Sequence, residues 1–125
     1  MTSIPEAKSP NQSVPRSGDI CWVDLDPIRG TEQGGRRPAL ILTDQAFHAR
    51  DQRSIICPIT RNMSPWPTKV LLPEGMKTRG AVLADQPRSV HRAERGFRFI
   101  EAVPQAVLDD VRIILAASIG IRGYA

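Results

Sequence analysis

The amino-acid sequence predicts a mainly β domain with additional helices, a small and partly open antiparallel barrel on which the helices pack. Five or six short apolar segments separated by turn residues are typical of short strands. A longer segment, residues 104–119, has the apolar spacing of an amphipathic helix. The length of 125 residues, with 41% hydrophobic and 24% charged side chains, fits one globular domain.

The first two predicted strands flank a polar loop. Residues 19–26 alternate in a way that indicates a half-buried strand, and Trp22 within it is expected in the core or at an interface. Residues 39–42 are wholly apolar, which indicates a strand covered on both faces. Because proline cannot donate to a strand ladder, we expect Pro38 at the entrance of this second strand.

The middle of the chain is predicted to alternate between short strands and turns. Pro58 falls inside the third strand and indicates an edge position or a bulge, since proline lacks the amide that a central strand uses. The elements expected here are one or two helical turns over residues 44–50, strands over 54–60, 69–72 and 81–84, a loop over 61–67, a turn region over 73–80, and a sixth strand over 97–103.

The C-terminal helix is the most regular pattern in the sequence. Pro104 suits its first turn, and Gly120 suits the position just past its end. The apolar stripe expected to face the core consists of Val107, Val111, Ile114, Leu115 and Ile119.

Composition narrows the class of protein. Residues 1–17 are rich in proline, serine and polar side chains, so we expect a flexible tail before a single domain over residues 18–125. Cys21 and Cys57 lie in apolar segments and are expected to be buried, reduced thiols. Neither histidine has ligand-like spacing to them, which disfavours a metal site. Since no apolar run could span a membrane and no secretory signal is visible, we expect a cytoplasmic protein.

The charge balance favours an anionic partner. The chain has 17 Lys+Arg against 13 Asp+Glu, for a net charge of +4. Such a balance is typical of nucleic-acid binding, although it can also serve solubility alone. Lysine is scarce among the cations, since only Lys8, Lys69 and Lys77 are present. Arginine binds phosphate through two hydrogen bonds and stacks on bases, so its dominance favours nucleic acid.

Polar side chains cluster at three predicted strand ends, which would form one basic pocket if they met on one face of the barrel. The cluster before the second strand consists of Glu32, Gln33, Gly34, Gly35, Arg36 and Arg37. The cluster that ends the third strand consists of Thr60, Arg61, Asn62 and Ser64. The cluster that follows the fifth strand consists of Asp85, Gln86 and Arg88.

Two stretches resemble the MazF/Kid/PemK toxins of bacterial toxin–antitoxin pairs. They are GDICWVDLDPIRGTEQGGRRPALIL, residues 18–42, and AVLADQPRSV, residues 81–90, and the resemblance extends over about residues 18–120. It implies an SH3-like barrel with a C-terminal helix, usually in a homodimer. It also implies a ribosome-independent endoribonuclease that cuts single-stranded RNA at short sequences without metal or cofactor. The implied partner is a cognate antitoxin whose flexible C-terminal segment covers the RNA groove.

The resemblance also implies which residues form the site. Arg37 and Thr60 match the family's essential arginine and threonine, and Glu32 matches a loop glutamate implicated in some members. Kid-like members carry histidine where Thr31 stands and arginine where Leu83 stands, so the site is closer to the MazF type. The further RNA-binding residues expected are Thr31, Gln33, Gly34, Gly35, Arg36, Arg61, Ser64, Asp85, Gln86 and Arg88.

Metal-free RNA cleavage requires a base for the ribose 2′-hydroxyl, stabilisation of the phosphorane, and a proton for the leaving 5′-oxygen. Arg37 suits charge stabilisation better than proton donation, because a guanidinium keeps its proton at neutral pH. Thr60 could hold a non-bridging oxygen, and Glu32 is the expected general base. Gly34 and Gly35 would let the backbone approach the phosphate. The expected products are a 2′,3′-cyclic phosphate and a 5′-hydroxyl.

Other interpretations stay open at this point. Glu32 could be a solvated acid that pairs with Arg36, and Asp85 could only position a loop. Trp66, between two prolines, could stack on an RNA base or on an antitoxin side chain. The chain could instead be a non-catalytic nucleic-acid-binding protein or a gyrase-poisoning toxin of the same fold. The gyrase-directed branch depends on a Trp-Gly-Ile ending, whereas this chain ends IGIRGYA.

Overall fold

The computed structural model of the protein describes residues 14–25 and 35–124. Within these ranges the chain forms seven strands and two helices, in the order β1 (Asp19–Asp24), β2 (Arg36–Ile41), α1 (Gln45–His48), β3 (Arg53–Thr60), β4 (Lys69–Leu71), β5 (Ala81–Leu83), β6 (Arg88–His91), β7 (Arg98–Ala102) and α2 (Gln105–Ser118).

The strands pair antiparallel in the order β4-β5-β3-β2-β1-β7, and β6 also pairs with β3. The long strand β3 exchanges partners along its length. Residues 53–56 pair with β6, whereas residues 59–60 pair with β5. The exchange curls the sheet into a barrel-like shape, which confirms the predicted fold class.

The sheet buries apolar side chains in two clusters. Leu40 and Ile41 are neighbours in β2 and are both fully buried, yet they belong to different clusters, as the two-residue period of a strand requires. Val107, Leu108 and Val111 of α2 pack into the cluster that contains Leu40. Full burial of each such side chain stabilises the fold by about 1.5–3 kcal/mol. The fold is therefore held by α2 on one cluster, whereas the described side chains of the other cluster come from strands and the loop residues next to them.

Pro58 lies at neither an edge nor a bulge, so that prediction was wrong. It pairs with Ala39 of β2 in a continuous register. On the other side of β3, Pro58 falls between the stretch that pairs with β6 and the stretch that pairs with β5. A central strand tolerates proline at this point because neither partner needs its missing amide.

Pro38 also lies inside a strand and not at its entrance. The strand β2 begins at Arg36, and Pro38 is opposite Trp22 of β1. Pairing of β2 with β3 begins only at Ala39, so no ladder bond is required from Pro38 on that side. Trp22 itself is 39% exposed, so it is not a core residue.

Two further differences concern single elements, and one expectation at the end of α2 is confirmed. The strand β6 was not predicted, because only Val90 of its four residues is buried and the others are polar or charged. Ile119 is 64% exposed, because α2 ends at Ser118 and leaves Ile119 beyond the apolar stripe. Gly120 adopts a φ of +83°, as expected for the residue just past a helix end.

The remaining expectations concern the termini and the thiols. Cys21 and Cys57 are free and buried, as predicted. Burial raises the pKa of each thiol to about 12, which disfavours the reactive thiolate. The predicted tail of residues 1–17 is described only from residue 14. Within that part, Pro15 is buried, and its carbonyl accepts a hydrogen bond from His48 Nδ1 at 2.8 Å. No helix in the described ranges is long and apolar enough to cross a membrane.

Candidate active site

An open groove of about 980 Å³ runs between β1, the ends of β2 and β3, the β4–β5 connection and β7. It is lined by Trp22, Arg36, Arg37, Pro38, Ile59, Thr60, Arg61, Asn62, Met63, Lys77, Thr78, Arg79 and Ile100. Two of the three polar clusters expected from the sequence therefore contribute to one concave surface.

The antiparallel register explains why Arg37 and Thr60 share this groove. Ala39 of β2 pairs with Pro58 of β3. The paired stretch ends there, and Arg37 and Thr60 each lie two residues beyond it, where the strands separate and both residues line the groove. Arg37 is partly buried and is also opposite Val23 of β1, so its backbone is held by a rigid strand. The sequence distance of 23 residues is thus closed by strand pairing.

The segment after Thr60 is organised by its own hydrogen bonds. The Thr60 hydroxyl oxygen accepts from the Asn62 amide at 3.1 Å, and Asn62 Oδ1 accepts from the Ser64 amide at 3.0 Å. Lys69 Nζ donates to the carbonyls of Asn62 and Ser64 at 2.9 and 3.1 Å. Arg61 and Asn62 are thereby held at the groove without a helix or strand of their own.

The groove is strongly cationic. Five of its lining side chains carry positive charge, and none of the lining residues in the described ranges is a carboxylate or a histidine. The cations are Arg36, Arg37, Arg61, Lys77 and Arg79. Arg36 Nη2 also donates to the Gly96 carbonyl at 2.8 Å, which fixes its guanidinium beside the β6–β7 turn. Such a surface attracts phosphate and has no described group that would serve as a general base.

The third polar cluster does not reach the groove. Thr60 at the end of β3 pairs with Ala81 at the start of β5. Asp85 and Gln86 follow the far end of β5, and Arg88 begins β6 opposite Ile56. Because β3 and β5 are antiparallel, the end of β3 lies beside the start of β5 and away from the end of β5. The polar clusters that follow these two strands therefore could not meet.

Two more of the predicted site residues, Gly35 and Ser64, are described but do not belong to the groove lining. Gly35 directly precedes β2 with a φ of +87°, and Ser64 is exposed beyond the groove lining. Thr31, Glu32, Gln33 and Gly34 are outside the described residues. In the part of the chain that is described, no group of three or more His, Cys, Asp or Glu side chains is arranged to hold a metal ion.

The β4–β5 connection contributes residues that were not predicted. Lys77, Thr78 and Arg79 all line the groove, although residues 73–80 were expected only as a turn region. The one available signal was the density of polar and basic side chains in the sequence MKTRG. Turn residues and groove residues have the same composition here, so the signal does not separate them.

Gly80 and Glu101 fix this connection in place. Gly80 has a φ of +135° and lies so close to the Thr60 carbonyl that a Cβ there would overlap it. The Glu101 carboxylate accepts from the amides of Thr78 and Lys77 at 2.7 and 3.1 Å. Burial alone would raise the pKa of Glu101, but hydrogen bonds from Thr78 and Lys77 and the nearby Lys77 charge hold that pKa below its usual value. Glu101 is therefore ionised at neutral pH.

Comparison of the chain with known proteins identifies its family. Residues 16–119 match the family described as PemK-like, MazF-like toxin of type II toxin-antitoxin system. The endoribonuclease toxin MazF of Escherichia coli strain K12 is 37% identical over 83 residues, which is 66% of this chain and 74% of that protein. The endoribonuclease PemK of Escherichia coli is 35% identical over 98 residues, covering 75% of this chain and 74% of that protein.

A solved structure agrees with these sequence matches. The crystal structure of MazE-MazF (Form-II) from Deinococcus radiodurans matches with a TM-score of 0.80 and 36% identity, over 87% of this chain and 98% of that one. The family match, the two sequence relatives and this structural match all point the same way. The chain belongs to the PemK-like, MazF-like toxins of type II toxin–antitoxin systems.

Proposed function

We propose that this protein is an endoribonuclease toxin that cleaves single-stranded RNA at short sequences, without the ribosome and without a metal ion. The observation that carries the proposal is the cationic groove shared by Arg37 and Thr60. Its concave shape and its positive charge suit a flexible polyanion. The family membership and the endoribonuclease names of the relatives give independent support.

A small number of side chains would carry out the cleavage. Arg37 stabilises the charge that develops on the phosphorane, because a guanidinium forms two parallel hydrogen bonds to phosphate oxygens. The Thr60 hydroxyl accepts from the Asn62 amide and so keeps its hydrogen for a non-bridging oxygen. The ribose 2′-hydroxyl loses its proton to the general base, and its oxygen attacks phosphorus and breaks the bond to the 5′-oxygen, which takes a proton from water. The products are a 2′,3′-cyclic phosphate and a 5′-hydroxyl.

Glu32 is our proposed general base. The described groove lining supplies no carboxylate or imidazole, so the base must come from another part of the chain or from solvent. Replacement by glutamine removes the base while keeping a similar shape. Glu32→Gln should flatten the acidic limb of the pH–rate profile, and an unchanged profile would remove Glu32 from this role.

We further propose a cytoplasmic homodimer that a cognate antitoxin neutralises by covering the groove with an extended segment. The name MazE-MazF of the matching structure supports an antitoxin partner of this kind. The dense positive charge of the groove would favour an acidic segment. Competition for one groove explains how a protein could block RNA access without altering the fold of the toxin.

The test is cleavage of a long, sequence-diverse single-stranded RNA in the presence of EDTA, followed by analysis of the new ends. We expect discrete cuts with cyclic phosphate and 5′-hydroxyl ends. Arg37→Ala should lose cleavage. Arg50 is an exposed arginine just after α1 and outside the groove, so Arg50→Ala is the matched control and should cleave normally. RNA binding without cleavage would instead support the non-catalytic alternative.

A further inference from the structure

One carboxylate joins two distant parts of the groove. Glu101 in β7 accepts hydrogen bonds from the amides of Lys77 and Thr78, which lie 24 and 23 positions earlier in the chain. Its two oxygens take one amide each. Two such charge-assisted bonds fix both the position and the direction of the backbone they hold. Glu101 itself is absent from the groove lining, although its neighbour Ile100 belongs to it.

The other end of the same segment is fixed against Thr60. Gly80 packs on the Thr60 carbonyl, and its own carbonyl accepts from the Leu72 amide at 3.0 Å. Thr78 between the two anchors is only 7% exposed. The segment of residues 77–80 therefore has a buried threonine and two fixed ends, and it presents Lys77 and Arg79 to the groove.

The geometry also explains why an acid is compatible with a phosphate-binding surface. The charge of Glu101 is directed at two backbone amides and is located outside the lining, so it does not face a bound strand directly. Lys77 and Arg79 are both exposed, and long cationic side chains on a mobile backbone would bind phosphate in many registers. A fixed backbone restricts them to positions near Thr60.

We propose that Glu101 is a positioning residue for RNA binding. It holds the segment of residues 77–80 so that Lys77 and Arg79 engage the phosphates that flank the bond at Thr60. The inference rests on the proposed function, since it concerns the strand that the groove would cleave. Glu101 touches neither the RNA nor the reacting atoms.

The test measures binding and cleavage separately. The Kd is measured with a single-stranded 2′-O-methyl RNA, which lacks the attacking hydroxyl. The kcat and KM are measured with unmodified RNA of the same sequence. We expect Glu101→Gln to weaken binding and raise KM on the order of tenfold, with kcat within about twofold. The slope of log Kd against the logarithm of the salt concentration should become smaller by about 1.4, because two contacts to single-stranded phosphates are lost.

Three further variants separate positioning from a general loss of structure. Glu94→Gln removes the same charge from an exposed turn and should leave Kd, KM and the salt slope unchanged. In a Lys77→Ala/Arg79→Ala background, Glu101→Gln should add no further loss of affinity. A purely structural role would lower the melting temperature and the active fraction, but would leave the KM and salt slope of the folded protein as they are.

The outcomes are distinct. A native-like Kd and salt slope in Glu101→Gln overturn the positioning role, whether or not the native protein cleaves RNA. Native protein that binds the 2′-O-methyl RNA but cuts no RNA overturns the proposed function alone, and the Kd series still decides the role of Glu101. Native protein that neither binds nor cleaves overturns both.

Discussion

The hydroxyl oxygen of Thr60 accepts a hydrogen bond from the amide of Asn62, 3.1 Å away, at the edge of the cationic groove. An oxygen that is already an acceptor from one side directs its own hydrogen elsewhere. Thr60 thus becomes a hydrogen-bond donor at the place where Arg37 supplies positive charge.

This relationship predicts the effect of removing the hydroxyl. Thr60→Val keeps the size of the side chain but cannot donate, so kcat on a short single-stranded RNA should fall about 100-fold, as when one oxyanion donor is lost. Thr60→Ser keeps the hydroxyl and should retain kcat within about threefold. Full activity of Thr60→Val in single-turnover assays would show that no donor is needed there.

The packing of Gly80 on the Thr60 carbonyl predicts a stability difference between two glycines. Gly80→Ala combines a φ of +135° with overlap of the backbone and should lower the free energy of unfolding by about 3 kcal/mol or more. Gly75 has a φ of +94° but nothing within 4 Å of an added Cβ, so Gly75→Ala should cost only about 1–2 kcal/mol. Urea unfolding midpoints measure both, and equal midpoints would contradict the close contact at Gly80.

His48 predicts a pH dependence of stability. Its Nδ1 donates to the Pro15 carbonyl at 2.8 Å, and the hydroxyl oxygens of Thr43 and Ser54 lie 2.6 and 2.8 Å from its Nε2. Burial lowers the pKa of His48 below its ordinary 6.5, and the nearby Arg92 charge adds to this. The Pro15 carbonyl and the charges of Asp44 and Asp19 oppose the shift without reversing it.

Proton binding by His48 determines whether the free energy of unfolding rises or falls with pH. As the pH falls through 6.5, the unfolded chain binds a proton at this histidine more readily than the folded protein, because the pKa of His48 is lowered only in the folded state. The free energy of unfolding should therefore decrease from pH 7.5 to 5.5, by at most about 1.4 kcal/mol per pH unit. His48→Asn, which can still donate to Pro15, should remove this slope. His91→Asn, at a more accessible position, should keep it, and an identical slope in both variants would contradict the assignment.

Local patterns predicted the strands and the terminal helix because burial leaves a period in the sequence. The alternation around β1 and the helical spacing of α2 are such periods, whereas the Arg-Ser-Val-His sequence of β6 has a single buried side chain and no period to detect. Pro58 misled the prediction because proline usually marks an edge. Here it marks the point where a central strand changes its partner.

The site was predictable only where its residues lie in recognisable sequence. Arg37 and Thr60 could be named from the resemblance, but their convergence depends on the β2–β3 register, which no local pattern specifies. Glu101 has the appearance of an ordinary polar residue on a strand. Its contact with the amides of residues 77–78 depends on a loop folding across to β7, so the sequence contains no local sign of it.

The most direct test of the central claim is cleavage of single-stranded RNA by the native protein and by Arg37→Ala, both in EDTA and both shown to be folded by their melting temperatures. We predict site-specific cuts with 5′-hydroxyl ends by the native protein and a loss of at least about 100-fold in Arg37→Ala. Absence of cleavage by the native protein across a long, diverse RNA, or undiminished cleavage by the variant, would contradict it.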